Sequence, residues 1–202
     1  MNRIIQFSDV LNSFEEESKK SNSIRNKNLH LSELSICGFK YRYRLDNDLF
    51  IPFQLNYQIG NAFEFLIVKE MKKLGNIISQ YTISKDDFVG HLDAYDIDNN
   101  IIYELKTSMS KMNFTDIYLR QLKIYMRYIP NAKGILWIYK PAFKSFTEKV
   151  IDHLNEEDYE LIDKNFKAFR ENKYIEGIEN SLCSFCENTN CIMKGKKIES
   201  IY

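Results

Sequence analysis

Apolar residues recur along the chain with two different periods, and the period of three to four residues predicts two helices. The first helix is predicted over 56–75 and ends at Gly75, because its apolar residues fall on one face. The second is predicted over 113–130, where Pro130 ends it. The apolar face of the first helix is formed by Ile59, Phe63, Leu66, Ile67, Met71 and Leu74.

Other segments have the composition of strands. β-branched and aromatic residues predict a strand over 76–84, and a short apolar run predicts a buried strand over 133–140. Between them, "DFVGHLDAYDI" and "IIYELKTS" are joined by a polar turn at 98–100 and predict a hairpin. Residues 143–175 have a mainly helical pattern. This order of elements predicts an α/β fold with a central mixed sheet flanked by helices.

Length and composition fit one domain over 1–202, with its core over about 56–140. The 202 residues are 44% hydrophobic, which is sufficient for a core. Lys+Arg and Asp+Glu both number 28, so the net charge of zero excludes a global attraction to polyanions and leaves only local patches. Without a signal segment or an apolar run of about 18 residues, we expect a cytoplasmic protein with no membrane span.

The hairpin carries charged residues at positions where strands usually avoid them. Side chains alternate along a strand, so Glu104 and Lys106 share one face, and Asp93 is expected close to Glu104 on the neighbouring strand. Two such carboxylates repel each other unless a hard cation such as Mg²⁺ binds between them, and a nearby lysine can position a water or balance phosphate charge. From the residues alone, a surface salt-bridge network remains the alternative.

These motifs resemble the PD-(D/E)-x-K nuclease superfamily, and within it the RecB-like branch. "GHLDAY" is similar to the strand that carries the first aspartate of that family, and "YELKTS" is similar to its (D/E)-x-K strand. The resemblance implies a restriction-endonuclease-like core whose metal ligands include Asp93, Glu104 and the backbone carbonyl of Leu105. It also implies that Lys106 is the catalytic lysine.

Two helices extend the resemblance. "QLKIY" matches the Q-x-x-x-Y motif of the family, so Gln121 and Tyr125 would project together towards the substrate or Lys106. The branch often has G-x-x-x-H in its first helix, whereas here "GNAFE" places Glu64 at the histidine position. A glutamate can bind Mg²⁺ or Mn²⁺, so Glu64 is expected as a further metal ligand with an altered metal preference.

Four cysteines flank the predicted core. They are Cys37 on the amino-terminal side and Cys183, Cys186 and Cys191, spaced C-x2-C-x4-C, on the other. This spacing in an unsecreted chain favours a metal centre over disulfides, and four thiolates suit zinc or an iron–sulfur cluster. One cysteine before a RecB-like core and three after it resemble the iron–sulfur nucleases, of which the CRISPR-associated Cas-four exonucleases are about this short. The resemblance implies a structural cluster, most often [4Fe-4S], in a region formed by 31–45 and 180–195.

Two groups of cations are candidates for DNA contact. Arg120, Lys123 and Arg127 form a stripe on the second predicted helix, beside the proposed site. "KYRYR" contributes Arg42 and Arg44, interleaved with tyrosines that could stack on bases.

The resemblance to the Cas-four family implies a metal-dependent DNA exonuclease, often 5′ to 3′ and in some members also an endonuclease. The implied substrate is single-stranded DNA or a single-stranded end, either in CRISPR spacer acquisition beside the integration proteins or in an archaeal virus. A homo-oligomer is compatible with this interpretation. The alternative is a non-catalytic nucleic-acid-binding protein with a four-cysteine zinc centre and a degenerate nuclease core, which Glu64 in place of histidine supports.

Overall fold

A computed structural model of the chain describes residue 16 and residues 29–47, 49, 55–85, 87–108, 114–171, 180, 182–183, 186–188 and 191, with backbone alone for 55–57. The helices are α1 (Leu31–Leu34), α2 (Gly38–Asp46), α3 (Leu55–Met71), α4 (Thr115–Tyr128) and α5 (Glu156–Glu171). The strands are β1 (Leu29–His30), β2 (Ile77–Lys85), β3 (Phe88–Asp96), β4 (Ile101–Thr107), β5 (Lys133–Lys140) and β6 (Ser145–Ile151).

The strands form one mixed sheet in the order β1-β3-β4-β5-β6, with β2 paired to β3. Strand β2 pairs antiparallel with β3 along one edge, whereas the other edge of β3 pairs with β1 at its start and with β4 at its end. Strands β4 and β5 are parallel, and α4 is the crossover helix between them. The predicted α/β fold with a central mixed sheet flanked by helices is therefore confirmed.

One element prediction was wrong. Residues 143–175 were expected to be mainly helical, but β6 occupies Ser145–Ile151 as an antiparallel edge strand beside β5, and α5 is the one α-helix among the residues of this segment that the structure describes. Most side chains of β6 are exposed, so the segment lacks the apolar alternation that marks a half-buried strand. Its ladder with β5, and not a buried face, holds it in the extended conformation.

Helices cover both faces of the sheet, with one apolar cluster on each. The larger cluster lies beneath α1, α2, α4 and α5 and includes Leu31, Phe88, Leu92, Ile102, Leu122, Leu136 and Phe166. The smaller cluster lies beneath α3 and consists of Val68, Met71, Ala94 and Leu105. Because side chains alternate along β4, Glu104 is on the same face as Ile102, towards α4.

The face of α3 that meets the sheet differs from the predicted one. Val68 and Met71 are buried against the sheet, and Ile67 is half-buried beside them. Leu66 is 57% exposed and Leu74 is 89% exposed, although both belonged to the predicted apolar face. The apolar residues of this segment are spread around the helix, so periodicity alone could not fix its orientation.

Within the described ranges, every helix is too short or too polar to cross a lipid bilayer.

Gly38 marks the closest approach between α2 and α5. Its N–H donates to Oδ1 of the buried Asn165 at 2.9 Å. A Cβ added to Gly38 would lie 1.9 Å from the backbone oxygen of Asn165, closer than any non-bonded contact allows. The residue after Cys37 therefore has to be glycine for the amino-terminal helices to pack on α5.

We expect Gly38→Ala to lower the free energy of unfolding by about 3 kcal/mol, because the backbone of one helix must move away from the other. Gly75→Ala is the matched control, since its Cβ would meet nothing closer than 3.8 Å, and a change below about 0.5 kcal/mol is expected there. Urea unfolding followed by circular dichroism measures both. Equal midpoints for the two variants would contradict the close approach.

Candidate functional site

Strands β3 and β4 separate at the two carboxylates that were predicted to face each other. Their pairing ends at Ala94 and Tyr103, and continuing the register by one residue places Asp93 opposite Glu104. The ladder is replaced there by a side-chain bond, in which Leu105 N–H donates to Asp93 Oδ2 at 2.7 Å. Because the N–H and C=O of a strand residue point to the same neighbour, the carbonyl of Leu105 is directed towards Asp93 as well.

Lys106 supplies the positive charge beside these carboxylates. Its Nζ contacts Glu104 Oε1 and lies 3.8 Å from Asp93 Oδ2. Glu104 is fully buried, and apart from Lys106 neither of its oxygens has a hydrogen-bond donor among the described residues. Burial, and then the charge of Asp93, raises the pKa of Glu104 to about 8. Burial by itself would lower the pKa of Lys106, but the charges of Glu104 and Asp93 raise it above its ordinary value.

Glu64 reaches the same site from α3, on the opposite face of the sheet. Burial, and then the charge of Asp93, raises the pKa of Glu64, whereas a hydrogen bond from Gln80 lowers it. In that bond Gln80 Nε2 donates to Glu64 Oε1 at 2.6 Å. Three acidic side chains from three elements, Glu64, Asp93 and Glu104, are thus in electrostatic contact, and their role as metal ligands stays a prediction.

The two faces can meet because strand alternation is interrupted at this point. Leu92 packs in the cluster beneath α4, whereas Ala94, two residues later, packs beneath α3, although such residues normally share a face. On the neighbouring strand Gln80 has φ 53°, and the pair Gln80–Asp93 is missing from an otherwise continuous register. A left-handed residue within a strand is strained for any side chain other than glycine. No sequence pattern marked Gln80, which the sequence analysis therefore missed.

Helix α4 closes the site from its own face. Gln121 Nε2 donates to the hydroxyl of Tyr125 at 3.1 Å, so the two side chains project together as the spacing predicted. Burial, and then the charge of Glu104, raises the pKa of Tyr125. Tyr118, which sequence reasoning did not single out, has its ring centroid 5.9 Å from the ammonium of Lys106. The aromatic rings of α4 therefore keep solvent from the buried ion pair.

The oxygen donors of the site are of the type that Mg²⁺ and Mn²⁺ prefer. In the part of the chain that the structure describes, however, no group of three or more Cys, His, Asp and Glu side chains is arranged so that it could hold a metal ion. Lys106 lies beside two of the carboxylates, and Gln80 is bonded to the third. The candidate ligands remain Glu64, Asp93, Glu104 and the carbonyl of Leu105.

The four cysteines come together from both ends of the described chain. Burial raises the pKa of Cys183, and the charges of Cys37, Cys186 and Cys191 raise it further, so all four lie within electrostatic range. None of them forms a disulfide. Among the described residues, however, the four thiols are not arranged as a group that could hold a metal ion, so the single centre stays a prediction.

Polar contacts join the two segments that carry these cysteines. Asn180 Nδ2 donates to the backbone oxygen of Ile36 at 2.7 Å. The carboxylate of Glu187 forms ion pairs with Lys40, at 3.3 Å between Nζ and Oε2, and with Arg44, at 3.4 Å between Nη2 and Oε1. The predicted region 31–45 therefore contacts residues of the predicted region 180–195, of which the structure describes 180, 182–183, 186–188 and 191.

The cations predicted to contact DNA already have neighbours of opposite charge. Lys123 pairs with Asp158 at 2.5 Å, and Arg127 pairs with Asp163 at 2.6 Å. Arg120 is half-buried, and burial lowers its pKa. The charges of Asp116, Cys37 and Cys183 act in the opposite direction, so this arginine already interacts with an acid and with two thiols. DNA contact by this stripe stays a prediction, and it would require these cations to exchange their present neighbours for phosphates.

The same holds for the arginines of "KYRYR". Arg42 pairs with Asp46 at 2.9 Å on the surface of α2. Arg44 lies 3.7 Å from Glu33 in addition to its contact with Glu187. Arg44 therefore joins α2 to neighbouring segments, whereas the pair of Arg42 lies within α2, and DNA contact by both arginines stays a prediction.

Comparison with known proteins places the fold among solved structures. No protein-family model and no curated protein matches the chain. The crystal structure of SSO0001 is similar at 20% identity and a TM-score of 0.54, over 78% of this chain and 82% of that one. An alkaline exonuclease, LHK-Exo from Laribacter hongkongensis, is similar at 11% identity and a TM-score of 0.54, over 76% and 92%. A phage-related exonuclease from Haemophilus somnus 129PT has 13% identity and a TM-score of 0.49, over 64% and 76%. The first two likenesses show a shared α/β fold.

We expect Gln80→Gly to have a free energy of unfolding about 1 kcal/mol higher than Gln80→Ala, because only glycine adopts the left-handed conformation without strain. Both changes remove the bond to Glu64, so their difference isolates the backbone. The same pair of changes at Thr82, two residues further along β2, is the control. At Thr82 the alanine variant should be more stable than the glycine variant by about 0.5–1 kcal/mol, as in an ordinary strand. The same order at both positions would contradict the interrupted alternation.

Proposed function

We propose that the chain is a divalent-metal-dependent DNA nuclease that hydrolyses phosphodiesters at the site of Asp93, Glu104 and Lys106. The observation that carries the proposal is the buried Glu104 carboxylate, which lies opposite Asp93 and, among the described residues, has only Lys106 as a donor. A structural salt bridge has little reason to be buried beside a second acid, because desolvation of the charges is costly. The shared fold with an alkaline exonuclease supports the same chemistry.

The donor set fits a hard divalent cation. Glu64, Asp93, Glu104 and the carbonyl of Leu105 offer oxygen alone, and burial followed by repulsion from Asp93 raises the pKa values of Glu64 and Glu104. When bound, Mg²⁺ or Mn²⁺ would supply a Lewis acid that neutralises charge on a phosphate.

The residues of the chain itself have separate roles in the proposed reaction. Lys106 stays protonated at neutral pH because its pKa is raised, so it would stabilise charge that develops on the phosphate instead of acting as a base. Leu105 N–H fixes the carboxylate of Asp93. Gln121 and Tyr125 lie beside the ion pair on the α4 side. There the amide of Gln121 and the hydroxyl of Tyr125 would orient Lys106 or a substrate oxygen.

The finer features of the proposal come from the sequence resemblance. They are a single-stranded DNA substrate or end, degradation from 5′ to 3′ with some internal cleavage, and a role in CRISPR spacer acquisition or its equivalent in an archaeal virus. CRISPR integration proteins are the corresponding partners. The separation of β3 and β4 at Asp93 supports the catalytic part of this proposal and is neutral about the biological setting.

We expect the protein to cleave end-labelled single-stranded DNA in the presence of Mn²⁺ or Mg²⁺ and to be inactive in EDTA. Glu104→Gln should reduce the rate by about a thousandfold, equivalent to about 4 kcal/mol of transition-state stabilisation. Glu148→Gln is the control, since Glu148 lies on the edge strand β6 and bonds to Trp137 instead of the site. Gel electrophoresis of the products gives the rate and the polarity. Equal cleavage by wild type and Glu104→Gln would overturn the assignment of the site.

We also propose that the four cysteines hold an iron–sulfur cluster with a structural role. The sequence resemblance favours the [4Fe-4S] type. The thiols share one region and the protein contacts around them are polar, so thiolate ligation at that point would fasten the amino-terminal segment to the carboxy-terminal one. A cross-link between chain segments so far apart in sequence restricts the unfolded chain strongly.

For protein purified without oxygen, we expect iron, acid-labile sulfide and a brown colour. Cys186→Ala should lose iron and unfold at a lower temperature, and its cleavage rate per folded molecule should fall much less than that of Glu104→Gln, because the cysteines are not in the catalytic set. Glu187→Gln is the control that weakens the same contact between segments and keeps all four thiols. Zinc in place of iron, together with DNA binding but no cleavage, would instead support the non-catalytic alternative.

A further inference from the structure

A groove of about 660 Å³ runs between α3 and β2 and opens to solvent. Its inner end is formed by Glu64 and Gln80, the two residues that share a hydrogen bond in the candidate site. Its outer walls carry Phe65, Lys69 and Lys72. A ligand that lies in this groove would therefore end beside the acidic residues of the proposed nuclease.

The cations of the groove are available for an anionic ligand. Lys69 is exposed and has no ion-pair partner among the described residues. Lys72 Nζ donates to the hydroxyl of Ser79 at 2.7 Å, a neutral partner that does not cancel its charge. The nearest acid outside the groove on the same helix, Glu70, is already paired with Lys73. Two positive charges thus face one opening, whereas the chain as a whole has no net charge.

An aromatic ring lies beside these cations. Phe65 is 68% exposed, an unusual position for a phenylalanine on a helix that packs against a sheet. It is followed one turn later by Lys69, so the ring and the ammonium are neighbours on the helix surface. Exposed rings that stack on bases next to cations that bind phosphates are the elements of single-strand binding.

The other predicted DNA-binding cations differ in this respect. Lys123, Arg127 and Arg44 are each paired with an acid on another element of the fold. Phosphate binding there would replace an existing ion pair, whereas at Lys69 and Lys72 it would add a new one. Electrostatic attraction to a polyanion is therefore more favourable at the groove.

We propose that the groove between α3 and β2 binds the single-stranded end of the DNA substrate, with a base stacked on Phe65 and phosphates held by Lys69 and Lys72. The inference rests on the proposed nuclease function, because it is Glu64 at the inner end that would receive the scissile region. It places the substrate path on the α3 side of the sheet, away from the stripe on α4.

The test separates binding from cleavage. Fluorescence anisotropy measures the binding of a labelled oligothymidine of about 12 nucleotides, within the range that one single-strand site covers, in a Glu104→Gln background. Phe65→Ala should weaken binding about fivefold or more, and Phe65→Trp should restore it, since one stacked base contributes at least about 1 kcal/mol. Lys69→Ala with Lys72→Ala should reduce the slope of log affinity against log salt by about 1.4, or 0.7 for each lost phosphate contact.

Matched controls lie on α3 and just beyond its end. Leu66→Ala removes an apolar side chain next to Phe65 that is also mostly exposed, and Lys73→Ala removes a cation outside the groove. Both should bind as the parent does. With Glu104 restored, Phe65→Ala should raise KM and leave kcat nearly unchanged, a split that general loss of structure would not produce.

Each outcome decides the inference. Groove variants that bind like their controls, in a protein that cleaves DNA, would overturn the groove and leave the nuclease proposal standing. Weaker binding by the groove variants, with unchanged binding by their controls, would support the groove. If the protein with Glu104 restored then failed to cleave DNA, the hydrolytic function would be overturned and the groove would stand. Absence of binding by the parent would overturn the inference.

Discussion

The grouping of two buried acids, Asp93 and Glu104, and the half-buried Glu64 around one ammonium is the constraint on which the rest of the structure depends. Removing a carboxylate from water costs several kcal/mol unless donors or opposite charges replace the solvent. Here the replacements come from the N–H of Leu105, the ammonium of Lys106 and the amide of Gln80. The first two belong to β4 and the third to β2, while the acids themselves lie on α3, β3 and β4, so all four elements must be in place before the acids can share one site.

This requirement explains the irregular part of the sheet. A regular ladder through Asp93 would satisfy every backbone group between β3 and β4 and would leave no donor for the carboxylate. Ending the ladder at Ala94 releases the N–H of Leu105 for Asp93. The left-handed Gln80 on the other side of β3 turns an amide towards Glu64. Strain on one strand and an open ladder on the other are therefore two parts of a single arrangement, which brings groups from both faces of the sheet to one point.

Sequence reasoning was most successful where periodicity and charge coincide. The hairpin of β3 and β4, strand β5 and the projection of Gln121 with Tyr125 could be predicted, because alternation and the helical repeat fix them locally. The face of α3 could not, since apolar residues surround that helix and only tertiary packing selects Val68 and Met71. Strand β6 was missed because its exposed residues carry no strand signal. Gln80 was missed because a positive φ is a property of the folded backbone that glutamine does not encode.

The ion pairs of the fold also limit where a polyanion can bind. The cations on α2 and α4 looked suitable for DNA in the sequence, because their acidic partners are distant along the chain: Glu187 for Arg44, and Asp158 for Lys123. In the folded chain these cations form ion pairs with those acids, and the pairs help to hold α2 and α5 in place. In a chain with equal numbers of acidic and basic residues, the cations that remain available are those whose neighbours on the surface are neutral. Lys69 and Lys72 meet that condition: Lys69 is on α3 and Lys72 directly follows it, and α3 also presents Glu64 to the ammonium of Lys106. The same helix therefore joins the accessible positive surface to the buried negative site, and a strand held on one would lead to the other.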